Sequence, residues 1–352
     1  MSVGSVSSST LSGVLQNTVA RLQSQLTTAS TESSTGLLAD VGLTLGGNSG
    51  QDVAMHQKMA DLAAISSSNS LVTAQLSTTA DALTSLQTSS KSMLSQLVQA
   101  QSGTPSSSGA SAIQQAATSA LQSFVTSMNA NEGGQYVFGG VNSGVAPVAA
   151  YAQTPASAAQ TAVDNAFQST FGMAITSPSV STISGSAMTS FLNNQFASLF
   201  SNANWTSNWS SASSSAQTNR IGVNDTVTTG ITANQSAFQD TAQALTMVSE
   251  FAGLNLSSDA YNALMSKAQS VMNTANTGLI ETSAAVGTMQ NQVTQANSAI
   301  TLQQNVLTTQ INAKETVNSY DVVSQVNNLS TQLQTAYSLT SQIHKLSLVS
   351  FL

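Results

Sequence analysis

Two stretches of this chain repeat apolar residues at alternating steps of three and four for far longer than an ordinary globular helix lasts. The first runs Met55, Met59, Leu62, Ile65, Asn69, Val72, Leu76, Thr79, Leu83, Leu86, Ser90, Met93, Leu97, Ala100. The second runs Tyr261, Leu264, Ala268, Val271, Ala275, Leu279, Thr282, Val286, Met289, Val293, Ala296, Ile300, Gln303, Leu307, Ile311. Such spacing draws one apolar stripe along a continuous helix, and a stripe held in register needs a facing helix to cover it. At 1.5 Å per residue the two helices reach about 70 and about 80 Å, so each can cover most of the other. A long helical bundle follows. Asn69, Thr79 and Ser90 fall on the seam of the first stripe. They either fix its register or, the reading favoured here, face a wet part of a loose bundle.

The two chain ends carry the same pattern. Leu11, Leu15, Val19, Leu22, Leu26 and Ala29 form one stripe; Val322, Val326, Leu329, Leu333, Ala336, Thr340 and Ile343 form another. Asn318 is placed to cap the second, with Asp321 near its positive end. Two one-sided helices at opposite ends of a chain are the simplest partners for each other. The C-terminal stripe runs on into Leu346, Leu348, Val349, Phe351 and Leu352. An apolar terminus of this kind marks an interaction surface.

Between the stripes the chain is punctuated. Gly36–Gly50 reads as a connector with one short strand, and Ser49 with Asp52 as a capping box opening the helix beyond. Gly103–Gly109 is a turn, and Ile113, Ala117, Leu121, Phe124 and Met128 continue as a shorter helix. Regular heptads then vanish until about Ile231. Gln135–Phe138 reads as a short strand, Arg220–Ile231 as a hairpin, and 156–167 and 188–200 as short helices. Helical pattern resumes with Phe238, Ala242, Leu245 and Val248, and Ser257 or Ser258 caps the second long stripe. The expected architecture is mainly α: a long antiparallel bundle or coiled coil built from both chain ends, with a small mixed α/β insertion. Its segments are 1–40, 41–134, 135–233 for the insertion, 234–317 and 318–352.

Composition narrows the function. Only 6% of residues are charged, against roughly 25% in an ordinary soluble domain. Serine, threonine, asparagine and glutamine take their place. Such a surface loses little when another surface covers it, because hydroxyls and amides find new partners. A net charge of −7 and seven scattered basic residues disfavour nucleic acid. The absence of cysteine excludes disulfides and thiolate chemistry. No apolar run approaches the roughly 20 residues of a membrane span, so no membrane insertion is expected. The first ten residues lack the charged and apolar regions of a Sec signal.

This nesting of helices, with these ends, resembles the flagellin superfamily. The resemblance rests on Leu346-Ser347-Leu348 followed by Phe351 and Leu352, and on Asn318-Ser319-Tyr320-Asp321 opening the last helix. It rests also on Gly133–Gly144, which is similar to a Gly-x-Tyr-x-Phe-x-Gly segment of the superfamily's hook–filament junction members, and on the Thr-Val-Thr-Thr run after Arg220. It covers about 1–145 and 218–352. Val41–Gly46 lacks the arginine-rich pattern of filament flagellins, which favours the junction members over the filament subunit. The resemblance implies a secreted structural protein of the bacterial flagellum, exported unfolded through a type III channel. It would self-assemble through Leu11, Leu15, Leu22, Leu26, Leu329, Leu333, Ile343, Leu346, Leu348, Phe351 and Leu352. Implied partners are copies of itself, the other hook-associated protein, flagellin and an export chaperone.

No catalytic set emerges from the residues themselves. His56 and His344 are the only histidines and lie far apart. His56, with Asp52 and Lys58 nearby, reads as a solvated helix face with an i,i+4 pair rather than a metal or acid–base site. No Gly-Lys-Ser/Thr follows Gly46-Gly47 or Gly139-Gly140 to make a phosphate loop. Trp205 and Trp209 read as packing residues rather than a sugar platform. Neither cofactor, metal nor enzymatic activity is expected.

Overall fold

The computed structural model describes residues 8–101 and 106–349, with side chains for 10–101 and 106–343. In chain order the elements are α1 (Ser8–Thr35), α2 (Val41–Leu45), α3 (Ser49–Gln101), α4 (Ser107–Met128), β1 (Asn131–Glu132), β2 (Gln135–Tyr136), α5 (Ala158–Phe171), α6 (Gly185–Phe191), α7 (Asn202–Asn208), β3 (Thr218–Arg220), β4 (Thr226–Thr228), α8 (Ser236–Phe251), α9 (Ser258–Glu315) and α10 (Ser319–Val349). The protein is mainly helical. Each pair of strands forms a two-residue or three-residue antiparallel ladder, β1 with β2 and β3 with β4. The long stripes are the long helices α3 and α9. The chain divides into two compact units, one of 1–62 with 301–352 and one of 63–300.

In the unit of 63–300, α3 and α9 run antiparallel. Gln101 bonds Ser266, Gln87 donates to the Leu279 carbonyl, and Asn69 donates to Asn297 at 2.8 Å. Ser257 caps α9 by accepting from the Ala260 amide, and Ser106 caps α4 in the same way from Gly109. The seam residues Asn69, Thr79 and Ser90 correct the sequence reading. All three are buried, so no wet gap opens there. Asn69 also donates to the Ile221 carbonyl at 2.9 Å, and Thr79 returns its hydroxyl to the Gln75 carbonyl four residues back. The Asn69 amide nitrogen and the Thr79 hydroxyl thus keep their donors paired in a dry seam.

The 135–233 segment shares one core with α4, α8 and α9. Its aromatic residues close on α8: Phe251 stands 5.6 Å from Phe167, 5.7 Å from Phe191 and 5.5 Å from Phe196 between ring centroids. Phe138 meets Phe238 edge-on at 5.4 Å. Trp205 stacks on Trp209, and Trp209 on Tyr151, while the Trp205 indole donates to the Ala233 carbonyl. Trp205 lies on a short helix, α7, and both tryptophans are core residues. Helix α8 is buried almost all round from Ala237 to Val248, including Gln239, Thr241, Gln243 and Thr246. Gly140 explains one tight turn of this segment. Its φ is +60°, and a Cβ there would stand 2.6 Å from the carbonyls of Ser213 and Ser215.

Candidate functional site

The unit of 1–62 and 301–352 brings the chain ends together. Helix α1 ends at Gly36, whose φ of +73° suits a left-handed stop. The chain then pairs with the link between α9 and α10: the Leu38 amide donates to the Glu315 carbonyl, and the Val317 amide to the Gly36 carbonyl. This single bridge, Leu37 opposite Thr316, is all that exists of the strand expected in the connector. The rest is α2, capped by the Asp40 carboxylate on the Leu43 amide, and a 3-10 turn over Gly46–Asn48. That turn runs straight into α3, so Ser49 is already helical and the expected capping box does not form. Ser49 donates to the Gly46 carbonyl instead, and Asp52 is buried.

Asn318 does cap α10, accepting from the Tyr320 amide at 3.1 Å. With both helices launched from the same bridge, their stripes meet. Leu22, Ala29, Val322 and Leu329 form the buried seam, with Leu26, Val326, Leu333 and Ala336 half-buried beside it. Gln23 donates to the Tyr337 hydroxyl across the pair. Each buried leucine contributes roughly 1.5–3 kcal/mol, so a seam this narrow holds the pair only modestly. Leu15 and Ile343 are half-buried, and Leu11 is 41% exposed. The side chains of Leu346 and Leu348, and Phe351 and Leu352 entirely, lie outside the described residues. Val14, Val323, Tyr320, Tyr337 and Leu339 of the two helices are exposed.

Below the bridge, α3 is tied to the end of α9. His56 Nε2 lies 2.7 Å from Glu315 Oε1 and 3.9 Å from Asp52 Oδ2. The hydrogen bond to Glu315 raises the His56 pKa above its ordinary value; burial opposes this, and the charges of Glu315 and Asp52 reinforce it. Lys314 bonds Gln51 alongside. A histidinium here also offsets a carboxylate at the negative end of α9. The three groups are close enough to hold a divalent cation. As placed they are an ion pair: two ligands of one tetrahedral zinc stand about 3.3 Å apart, and the His56–Glu315 separation is shorter. Sequence reasoning found Asp52 and His56 through their i,i+4 spacing. It missed Glu315, which lies 259 residues away. Among the described residues no helix is long and apolar enough to cross a membrane.

Comparison with known proteins agrees with this arrangement at both ends. The model of the bacterial flagellin N-terminal helical region matches residues 6–143, and that of the bacterial flagellin C-terminal helical region matches 269–352. No curated protein sequence matches the chain. The fold is similar to a solved structure from Vibrio parahaemolyticus described as a flagellar hook-associated protein. That likeness has a TM-score of 0.53 and 12% identity, covering 76% of this chain and 97% of that one. The matched regions take in α1, α3 and α4 at one end and α10 with most of α9 at the other, which are the helices that the paired stripes build. The chain belongs to the flagellin family, the structural proteins of the bacterial flagellum.

Proposed function

We propose that this protein forms the junction between hook and filament, self-assembling outside the cell through its terminal helices. The observation that carries the self-assembly is the α1–α10 pair. Among the described residues its seam buries few side chains, and Leu11, Val14, Val323, Tyr337 and Leu339 of the two helices stay exposed with almost no charge around them. Exposed apolar residues on paired helices, set among hydroxyls and amides, suit burial against further copies. In this reading segments 1–40 and 318–352 are the assembling ends, 41–134 and 234–317 their helical supports, and 135–233 the outward-facing part. The assembly residues are Leu11, Leu15, Leu22, Leu26, Leu329, Leu333, Ile343, Leu346, Leu348, Phe351 and Leu352. The partners are copies of the same chain, the other hook-associated protein and flagellin, with a chaperone before export.

The connector favours the junction over the filament subunit, because Val41–Gly46 carries no arginine. The description carried by the Vibrio protein of the same fold points the same way. The test is a strain whose only copy lacks Leu346–Leu352. The truncated protein is expected to keep the melting temperature of the full chain and to be exported. It should fail to reach the hook tip, so that filament subunits are shed into the medium. Attached filaments of normal length in that strain would overturn the reading. Gold labelling along the whole filament, rather than at its base, would make the protein the filament subunit.

A further inference from the structure

In the unit of 63–300 a cavity of about 240 Å³ opens between α4, residues 150–152 and the end of α8. Leu121 and Val125 give it apolar walls. Tyr151 and Glu250 line it as well. Glu250 is half-buried, and among the described residues it has no cationic partner. Tyr151 is 4% exposed, and its hydroxyl, facing Glu250, makes no hydrogen bond of good geometry. Asp164 adds a further negative charge nearby. Burial holds the Glu250 carboxyl above its ordinary pKa, with the Tyr151 hydroxyl opposing and Asp164 reinforcing the shift.

A carboxylate withdrawn from water is costly unless paired. Here it lines an accessible cavity rather than a sealed core. We propose that this cavity binds a primary ammonium or guanidinium group carried on a short aliphatic stem. The apolar walls take the stem, and the Glu250 carboxylate accepts the charged head. The Tyr151 hydroxyl, an acceptor as well as a donor, supplies a second oxygen. The volume lies below the roughly 300 Å³ at which pockets for drug-sized ligands begin, which suits one chain with one charge. Such a group comes either from a lysine or arginine of another copy or from a free amine.

The protein carries its own reporter. Tyr151 stacks on Trp209 at 5.2 Å and Trp209 on Trp205, so filling the cavity should alter tryptophan emission. The full-length monomer is titrated with n-butylammonium chloride, against n-butanol and sodium chloride as controls. We expect a saturable change with a dissociation constant of about 1 mM. It should weaken roughly tenfold or more in Glu250→Gln, and n-butanol should give no change. Ala152→Leu, at an exposed position on the rim, should block binding without touching the acid, and covers the case in which Glu250→Gln fails to fold. In assembled protein, a carbodiimide cross-link from Glu250 to a lysine of another copy identifies a side chain as the occupant. A retained response to n-butylammonium identifies a free amine. An absent or non-saturable response, an equal response to n-butanol, or unchanged affinity in folded Glu250→Gln overturns the proposal.

Discussion

Replacing Phe251 by alanine tests whether the segment of 135–233 and the helices around it are one cooperative body. Phe251 is fully buried on α8, and its ring contacts Phe167 of α5, Phe191 of α6 and Phe196 in the turn that follows. A buried phenylalanine truncated to alanine loses about 3–5 kcal/mol through lost transfer energy and the cavity left behind. Three aromatic partners around one ring argue for the upper half of that range, since each well-placed pair adds about 0.5–1.5 kcal/mol. For a unit of this size each kcal/mol lowers the melting temperature by about 2–4 °C, so the expected drop is about 8–20 °C. The assay is thermal unfolding followed by tryptophan emission, because Trp205 and Trp209 both lie in this core. Val223→Ala, at an exposed position, is the control and should move the midpoint by less than about 2 °C. A shift of less than about 3 °C in Phe251→Ala would refute the shared core.

Two further outcomes follow from the hydrogen bonding. His56 gains Glu315 as a partner on folding, so its pKa is raised. The stabilisation it supplies is therefore full below its ordinary value of about 6.5 and is lost as pH rises through the raised folded value. An NMR titration of the His56 ring should show the raised value, and Glu315→Gln should lower it; an unchanged titration in that variant would remove Glu315 as the cause. Asn69→Ala leaves the Ile221 carbonyl without its buried donor and should cost about 1–3 kcal/mol in urea unfolding. A cost near zero would mean that water replaces the amide.

What could be read from sequence was whatever repeats along one helix. The Met55–Ala100 and Tyr261–Ile311 stripes became α3 and α9 because a heptad seam is a local signal. The Asn318 cap was equally local, and the pairing of the two end stripes was legible because each one-sided helix needed a partner and the other was the simplest. What escaped were groups whose partners lie far along the chain. Glu315 has no neighbour in sequence that marks it as the acceptor for His56. Phe167, Phe191 and Phe196 are scattered over irregular chain, and only the fold brings them onto Phe251. Ser49 and Asp52 have the spacing of a capping box, but the preceding turn is helical too, so no helix starts there to be capped. The buried polar face of α8 was invisible for a related reason. Its stripe of Phe238, Ala242, Leu245 and Val248 shows one apolar side, while Thr241 and Thr246 are enclosed by elements from elsewhere in the chain.

The joining of α1 to α10 also orders events in time. Gln23 and Tyr337, which bond across that pair, are 314 residues apart. Closing so long a loop costs little extra free energy, since each doubling of length adds only about 0.6 kcal/mol. It does require both ends to be present. The core of 63–300 needs neither α1 nor α10 and can collapse as soon as its own residues are free. A chain passed end-first through a narrow opening would thus emerge with its middle able to fold while the leading helix waits, unpaired, for the trailing one. Topology makes the terminal pair the last element to form, and the apolar stripe of each helix stays available to a neighbouring copy until that moment.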